Sequence, residues 1–102
     1  MSTSPTYPLE RVRLLLQANA FLITRQAIQD AFDLGLDRRQ IVAVVEALRP
    51  SDFYKSMPSR VMPGLMQDVY RTSVGSRTLY VKIQIKGSTP DDLVVVISFK
   101  EL

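Results

Sequence analysis

The 102-residue chain contains neither cysteine nor histidine. Without cysteine it can form no disulfide, and without either residue it lacks the ligands that structural zinc sites use. Catalysis by a serine–histidine–aspartate or cysteine–histidine arrangement is excluded for the same reason, as is any enzyme that uses two histidines as acid and base. Any proton transfer must therefore use lysine, tyrosine, aspartate, glutamate or water.

The sequence also lacks an apolar run near the roughly 20 residues that a membrane-spanning helix needs. It begins without a basic stretch followed by an apolar segment, so no signal peptide is indicated. Apolar residues make up 46% of the chain and charged residues 23%, which is close to the composition of globular domains. We therefore expect a cytoplasmic protein with a flexible polar tail at residues 1–7 and a single domain at residues 8–102.

The net charge of +3 is unevenly distributed. Residues 1–50 are nearly neutral, whereas residues 53–90 contain six lysine or arginine side chains and one acidic residue, Asp68. A local excess of positive charge suits a polyanion such as RNA. A solvated surface with no partner would give the same pattern.

Helical signals occupy the first half of the chain. Apolar residues at helical spacing predict helices at about 8–19 and 25–34. A third helix is predicted after Asp37, because Asp37 and Gln40 form a capping-box pattern and an apolar stripe follows, and Pro50 ends it. Phe21 to Ile23 form a short apolar run that predicts a brief strand.

The second half changes to strand patterns. Residues 78–86 alternate strictly between apolar and polar side chains, which predicts a strand with one buried and one solvated face. Further strands are predicted at 67–74 and 93–100, and a mostly irregular segment at 51–66. Helices followed by a mainly antiparallel sheet indicate an α+β fold in which the helices pack on one sheet face.

The sheet face opposite those helices would collect polar side chains. Tyr80 and Lys82 share this face of one strand, Gln67 and Arg71 lie four residues apart on the next, and Lys100 can join from the last strand. Cations bind phosphates and a tyrosine ring can stack on a base. Such a face could align the attack of a ribose 2′-hydroxyl on its neighbouring phosphate and neutralise the charge that develops. Crowded cations are expected to lower the pKa of a lysine and to make Tyr80 ionise more easily.

Each of these residues also has an ordinary interpretation. Lys82 can be a solubilising residue, Tyr80 a cross-strand packing partner, and Arg71 the ion-pair partner of Asp68 or Glu101. Three functions remain open from the pattern alone: a ribonuclease, a binding protein for RNA or a partner without catalysis, and an interaction domain that docks a partner through an edge strand.

Four segments resemble one known family. SDFYKSM at Ser51–Met57, QDVYR at Gln67–Arg71, LYVKI at Leu79–Ile83 and VISFKE at Val96–Glu101 are similar, in order, to motifs of the MqsR toxin family. The resemblance implies a microbial ribonuclease fold of the RelE/YoeB type. It also implies cleavage of mRNA at a short GC-containing triplet, without a metal or cofactor, and a partner antitoxin of the MqsA type with zinc and helix-turn-helix DNA-binding domains.

The family's activity-linked positions correspond to Lys55, Gln67, Tyr80 and Lys100 in this sequence. Three of these four lie on the sheet face predicted from alternation. The fourth, Lys55, is expected in a loop before the sheet, from which its side chain could reach that face. Arg71 and Lys82 are predicted as further RNA-binding residues from their place on the same face.

Overall fold

The computed structural model describes residues 3–87 and 91–102. Three helices and five strands follow in chain order: α1 Leu9–Gln17, β1 Phe21–Ile23, α2 Arg25–Asp33, α3 Arg38–Glu46, β2 Phe53–Pro58, β3 Met66–Val74, β4 Arg77–Lys86 and β5 Leu93–Glu101. The predicted α+β class is confirmed, with the helices before all strands except β1. No helix in the described part of the chain is long and apolar enough to cross a membrane.

Helices α2 and α3 begin at the residues that their capping patterns indicate. The Thr24 hydroxyl accepts a hydrogen bond from the Ala27 backbone N–H at the start of α2. Asp37 and Gln40 form both halves of a capping box at the start of α3, which satisfies two backbone donors that a helix leaves unpaired. Gly35, just beyond α2, has a φ of 80°, a conformation that glycine adopts without steric cost.

The five strands form one sheet in the order β1-β5-β4-β3-β2. Strands β2 to β5 pair antiparallel as a meander, and β1 pairs parallel with β5. The hairpin between β3 and β4 turns at Gly75, whose φ is 63°. The sheet is thus mainly antiparallel, as predicted, with β5 as an inner strand.

The prediction that residues 51–66 are mostly loop was wrong, because Phe53–Pro58 form β2 at the edge of the sheet. The two prolines and the glycine of this segment, Pro58, Pro63 and Gly64, suggested irregular structure. Pro58 is the last residue of an edge strand, a position where proline is tolerated because its missing N–H costs little pairing. The strand is followed by a true connection at 59–65.

The core lies between the helices and one face of the sheet. Leu79, Val81, Ile83 and Ile85 of β4 are buried on that face, as their alternation predicted. Each helix contributes two buried residues of its own: Val12 and Leu16, Ala27 and Ala31, Ile41 and Val45. Within the described ranges the helices cover this face and leave the opposite face of the sheet open.

The end of the predicted tail packs against the sheet. The carboxylate of Asp68 accepts hydrogen bonds from the backbone N–H groups of Thr6 at 3.0 Å and Tyr7 at 2.8 Å. The Tyr7 side chain is buried and its hydroxyl donates to the Met66 carbonyl at 2.7 Å. Thr6 and Tyr7 therefore belong structurally to the domain, and Asp68 faces away from Arg71, with which an ion pair was considered.

Candidate active site

The open face of the sheet holds a cleft of about 450 Å³. Strand β2 contributes Lys55, β3 contributes Gln67, and β4 contributes Tyr80 and Lys82 to its lining. All four are partly buried. Four of the six residues predicted for the site therefore meet in one concavity.

The position of Lys55 differs from the prediction. It lies within β2, paired with Val69 of β3, and not in a loop. The strand holds its side chain beside that of Gln67 in the cleft lining. Lys55 thus occupies a fixed position in the sheet and does not need to swing over it.

Two irregularities in strand pairing shape this face. Pairing shifts between Phe53 and Lys55 of β2, which leaves Tyr54 without a partner in β3. Pairing between β4 and β5 shifts after Lys82, which leaves Ile97 as the extra residue of β5. Such bulges redirect side chains and are common beside active sites. Here the second bulge adds Ile97 to the cleft lining.

The tyrosine side chains of this face are flanked by cations. The Arg71 guanidinium carbon lies 3.6 Å from the centre of the Tyr54 ring, and the Lys55 amine lies 5.4 Å from it. The Lys100 and Lys82 amines lie 5.2 Å and 5.9 Å from the centre of the Tyr80 ring. These distances allow cation–π attraction, which holds the charges near the rings.

Lys100 and Arg71 are exposed and do not line the cleft itself. Lys100 pairs with Tyr80 across β4 and β5, and Arg71 pairs with Tyr80 across β3 and β4. Both cations therefore lie at the rim, one on each side of Tyr80. A polyanion entering the cleft would pass between them.

The electrostatic expectation for lysine applies to Lys82. Burial is the largest cause that lowers the pKa of Lys82. The neighbouring charges of Lys100, Lys55 and Arg60 lower this pKa further. Both causes disfavour the charged amine. Lys82 therefore loses its proton at a lower pH than an ordinary lysine.

The corresponding expectation for Tyr80 was wrong. Burial raises the pKa of the Tyr80 phenol, and the interaction with Tyr54 raises it further, while Arg71 lowers it by less. Desolvation of the phenolate outweighs the nearby positive charge. Tyr80 therefore remains a protonated hydrogen-bond donor at neutral pH.

Several contributors were not identified as site residues from the sequence. Arg60 and Val61, from the connection between β2 and β3, line one side of the cleft with Met57 of β2. Arg60 belongs to the basic stretch noticed in the sequence, but that stretch gave no direction for its side chain. Ile97 depends on a bulge, for which an apolar strand sequence gives no signal.

Asp52 and Glu101 are acidic residues of the motif segments and could by their chemistry act as bases, but they lie outside the cleft lining. The Asp52 carboxylate accepts a hydrogen bond from the Arg49 backbone N–H at 2.9 Å, and one of its oxygens lies 3.6 Å from the Arg49 guanidinium. Glu101 pairs with Leu79, so it is in phase with the helix-covered face. Among the described residues, the titratable side chains that line the cleft are thus two lysines, a tyrosine and Arg60, and none is acidic.

Comparison with known sequences bears on this site. The profile of the family described as "Motility quorum-sensing regulator, toxin of MqsA" matches residues 4–101. The chain belongs to the MqsR toxin family. The mRNA interferase toxin MqsR of Escherichia coli (strain K12) is 36% identical to this MqsR-family chain over 98 residues, which cover 96% of this chain and 95% of the relative.

The match to the MqsR family includes every strand that contributes to the cleft, from β2 to β5. The resemblance noticed in four sequence motifs is therefore confirmed over nearly the whole chain. In this MqsR-family chain the motifs come together physically, since Lys55, Gln67, Tyr80 and Lys82 belong to three of them and line one cleft.

Proposed function

We propose that this chain is the toxin of a type II toxin–antitoxin system and acts as an mRNA interferase, an endoribonuclease that stops translation and growth. The observation that carries the proposal is the cleft in which two lysines, a tyrosine and a glutamine meet on the open face of the sheet. Membership of the MqsR family supports the same conclusion. Cleavage at a short GC-containing site, without a metal, belongs to the proposal.

The reaction that fits these side chains uses the nucleophile of the RNA itself. The ribose 2′-oxygen forms a bond to the adjacent phosphorus while the bond from phosphorus to the 5′-oxygen of the next nucleotide breaks. One proton leaves the 2′-hydroxyl and one is delivered to the departing 5′-oxygen. The products are a 2′,3′-cyclic phosphate and a free 5′-hydroxyl, so the protein must align, neutralise charge and exchange protons.

The side chains of the cleft and of its rim can divide these tasks. Lys55 and Lys100 neutralise charge on the phosphate oxygens, and Gln67 orients the nucleotide. Lys82, with its lowered pKa, is the group that accepts the proton of the 2′-hydroxyl. Tyr80, with its raised pKa, donates a hydrogen bond or the proton to the departing oxygen. Arg71 binds a neighbouring phosphate at the rim.

Three finer features complete the proposal. The arrangement of helices on a mainly antiparallel sheet is assigned to the RelE/YoeB type of ribonuclease fold. The inhibitory partner is an antitoxin of the MqsA type, with zinc and helix-turn-helix domains of its own. The toxin acts in the cytoplasm, where mRNA is available.

The test is cleavage of mRNA in vitro, in the presence of EDTA and without ribosomes. We expect the natural sequence to yield fragments with cyclic phosphate ends and Lys55→Ala to yield none. Arg39→Ala is the matched control, because Arg39 is an exposed cation on α3 and its loss lowers the net charge equally. That control is expected to cleave at the normal rate.

The alternatives give different results in this assay. RNA binding by a folded protein without cut products would show that the chain is an RNA-binding protein and not an enzyme. Cleavage that appears only when ribosomes are added would retain the nuclease and restrict its substrate to translated mRNA. Cleavage that EDTA abolishes would contradict the metal-independent mechanism.

A further inference from the structure

A second concavity of about 260 Å³ opens beside the cleft on the same sheet face. The two share Val61, Gln67 and Ile97 as a common wall. Along β4, the cleft lies at Tyr80 and Lys82 and the second concavity at Gln84 and Lys86. The polar face of one strand thus continues from one concavity into the other.

The walls of this second concavity are mainly apolar. Leu22 of β1, Val95 and Ile97 of β5, and Val61 and Met62 of the β2–β3 connection surround it. Leu22, Val61 and Met62 are unusually exposed for large apolar side chains, at 49%, 86% and 42%. Exposed apolar residues gathered around a depression indicate a surface that a flat apolar group would cover.

The polar groups within it are few, and some are already engaged. The Thr24 hydroxyl donates to the Ile97 carbonyl and accepts from the Ala27 N–H. The Ser59 hydroxyl oxygen accepts from the N–H groups of Val61 and Met62, which holds the loop in place. These hydroxyls serve the protein's own backbone.

Gln84 is different. The residue is only 5% exposed, and its amide oxygen accepts a long hydrogen bond from the Gln67 amide nitrogen at 3.4 Å. A nearly buried amide beside apolar walls offers a donor and an acceptor to a planar ligand. Glutamine amides recognise base edges in this way.

We infer that this second concavity binds the base of a nucleotide next to the cleaved linkage, and that Gln84 determines which base is accepted. The inference rests on the proposed ribonuclease function and extends it to sequence selection. The apolar walls pack against the faces of the base, the Gln84 amide reads its edge, and the exposed cation Lys86 meets the adjoining phosphate. The volume is below the roughly 300–1,000 Å³ of pockets for larger ligands, as suits a single base.

The assignment of a nucleotide base to the second concavity follows from the continuity of this concavity with the cleft. An RNA strand held at Tyr80 and Lys82 has to leave the cleft along the open face. The wall shared through Gln67 and Ile97 brings a neighbouring nucleotide directly over the second concavity. Lys82 and Lys86, four residues apart on β4, supply positive charge along about 13 Å of this path.

The experiment measures sequence preference separately from total activity. An RNA pool with a randomised window is cleaved by the natural sequence and by Gln84→Met, and the products are sequenced. We expect Gln84→Met to retain cleavage while the rate ratio between favoured and disfavoured bases at one position falls by at least about fivefold, the lower end of discrimination by a good amide–base pair. Gln17→Met, at an exposed position in α1, is the matched control and is expected to keep the original preference.

A second pair of variants tests the apolar wall without disturbing the core. Leu22→Ser removes one exposed wall residue, and Leu14→Ser removes an exposed leucine of α1 outside both concavities. We expect Leu22→Ser to raise KM for the favoured sequence with little change in kcat, and Leu14→Ser to change neither.

Binding of short non-cleavable RNA, followed through the methyl NMR signals of Leu22, Val95 and Ile97, separates the inference from the proposed function. Base-dependent chemical-shift changes without any cleavage would support the base site and contradict the ribonuclease function. Normal cleavage with an unchanged preference in Gln84→Met and Leu22→Ser would overturn the base site and leave the ribonuclease intact. Absence of both cleavage and shifts would overturn both. An unchanged preference with weakened antitoxin binding would assign this surface to a protein instead.

Discussion

Tyr80 combines a ring that is flanked by cations with a hydroxyl whose pKa is raised. Tyr80→Phe keeps the ring and removes only the hydroxyl. If that hydroxyl serves proton transfer, kcat should fall by about 10²–10⁴-fold, the usual contribution of general acid–base catalysis, while RNA affinity stays near normal. Single-turnover cleavage and binding of a non-cleavable RNA measure the two effects. Equal losses in rate and affinity would instead assign Tyr80 to stacking.

Lys82 predicts a particular dependence on pH. Because its pKa is lowered, the fraction of neutral amine rises at a lower pH than for an ordinary lysine, and kcat/KM should rise over the same range. Lys82→Arg keeps the positive charge throughout that range, so its RNA binding should persist while the rise in rate disappears. The comparison is a pH–rate profile of both proteins, corrected for uncatalysed RNA hydrolysis. If the pH–rate profile of Lys82→Arg follows that of the natural sequence, Lys82 does not act as the base.

The site was predictable at the residues where regular alternation sets the direction of a side chain. Tyr80, Lys82 and Arg71 lie on the predicted face because β3 and β4 pair without interruption from Asp68 to Val74, and Gln67 precedes that run in the same strand. Lys55 was expected to reach this face from a loop, whereas it lies on the face itself, within β2. Its strand is short, ends in proline and starts with a bulge, so no period of two is visible in its sequence.

Strand β3 has opposite roles on its two faces. Gln67 and Arg71 belong to the open face, whereas Asp68 and Tyr70 are fully buried on the other. Asp68→Asn would leave one amide oxygen to accept the hydrogen bonds that the two carboxylate oxygens accept from Thr6 and Tyr7. We expect a loss of about 1–3 kcal/mol in the free energy of unfolding, with RNA cleavage retained below the new melting temperature.

Chemical denaturation and limited proteolysis of the amino-terminal segment would measure this effect. Faster cleavage near Thr6 in Asp68→Asn is the expected sign that the segment has been released. An unchanged proteolysis rate would show that the packing of Tyr7 alone holds it.

The buried hydroxyl of Tyr70 has no hydrogen-bond partner among residues 3–87 and 91–102, and burial raises the pKa of Tyr70 to about 12. Tyr70→Phe removes a polar group that was desolvated without compensation, so we expect unfolding free energy at neutral pH to be unchanged or to increase by about 1 kcal/mol. A decrease in stability at neutral pH would show that the hydroxyl does have a partner in solution.

The same residue predicts behaviour in alkali. The folded state favours the protonated phenol. The contribution of Tyr70 to the free energy of unfolding is therefore constant below the unfolded-state pKa near 10 and is lost as pH rises towards 12. Tyr70→Phe should therefore lose less stability than the natural sequence between pH 10 and 12, as measured by urea unfolding at several pH values. The slope will not vanish, because the pKa of Tyr7 is also raised.

At the scale of the whole molecule, the charge is segregated by layer. The cations of the open face surround the cleft, and the acidic residue of the basic stretch, Asp68, is buried beneath the sheet. RNA binding should therefore weaken with salt, with a slope of log K against log[salt] of about −0.7 for each phosphate contact. Arg71→Ala should reduce the slope by about 0.7 and affect all sequences alike, whereas Gln84→Met should leave the slope unchanged and alter sequence preference.

The general architecture could be predicted from the sequence because the hydrophobic period and the helix caps are local signals. The capping box at Asp37 and the alternation from Leu79 to Ile85 are each contained within ten residues. The pairing of β1 with β5 could not be predicted from the sequence, because a three-residue apolar run does not specify the strand with which it pairs. Its pairing depends on tertiary contacts, including the hydrogen bond from Thr24 to Ile97, 73 positions apart.

This long-range pairing has a consequence for the kinetics of folding. Strand β5 completes the core through Val94, Val96 and Phe99 on one face and brings Ile97 and Lys100 to the other. Contacts between distant parts of a chain form slowly because the loop entropy is lost before they are made. The core and the cleft should therefore appear in the same late step, and a chain whose last strand has not docked would have no nuclease activity.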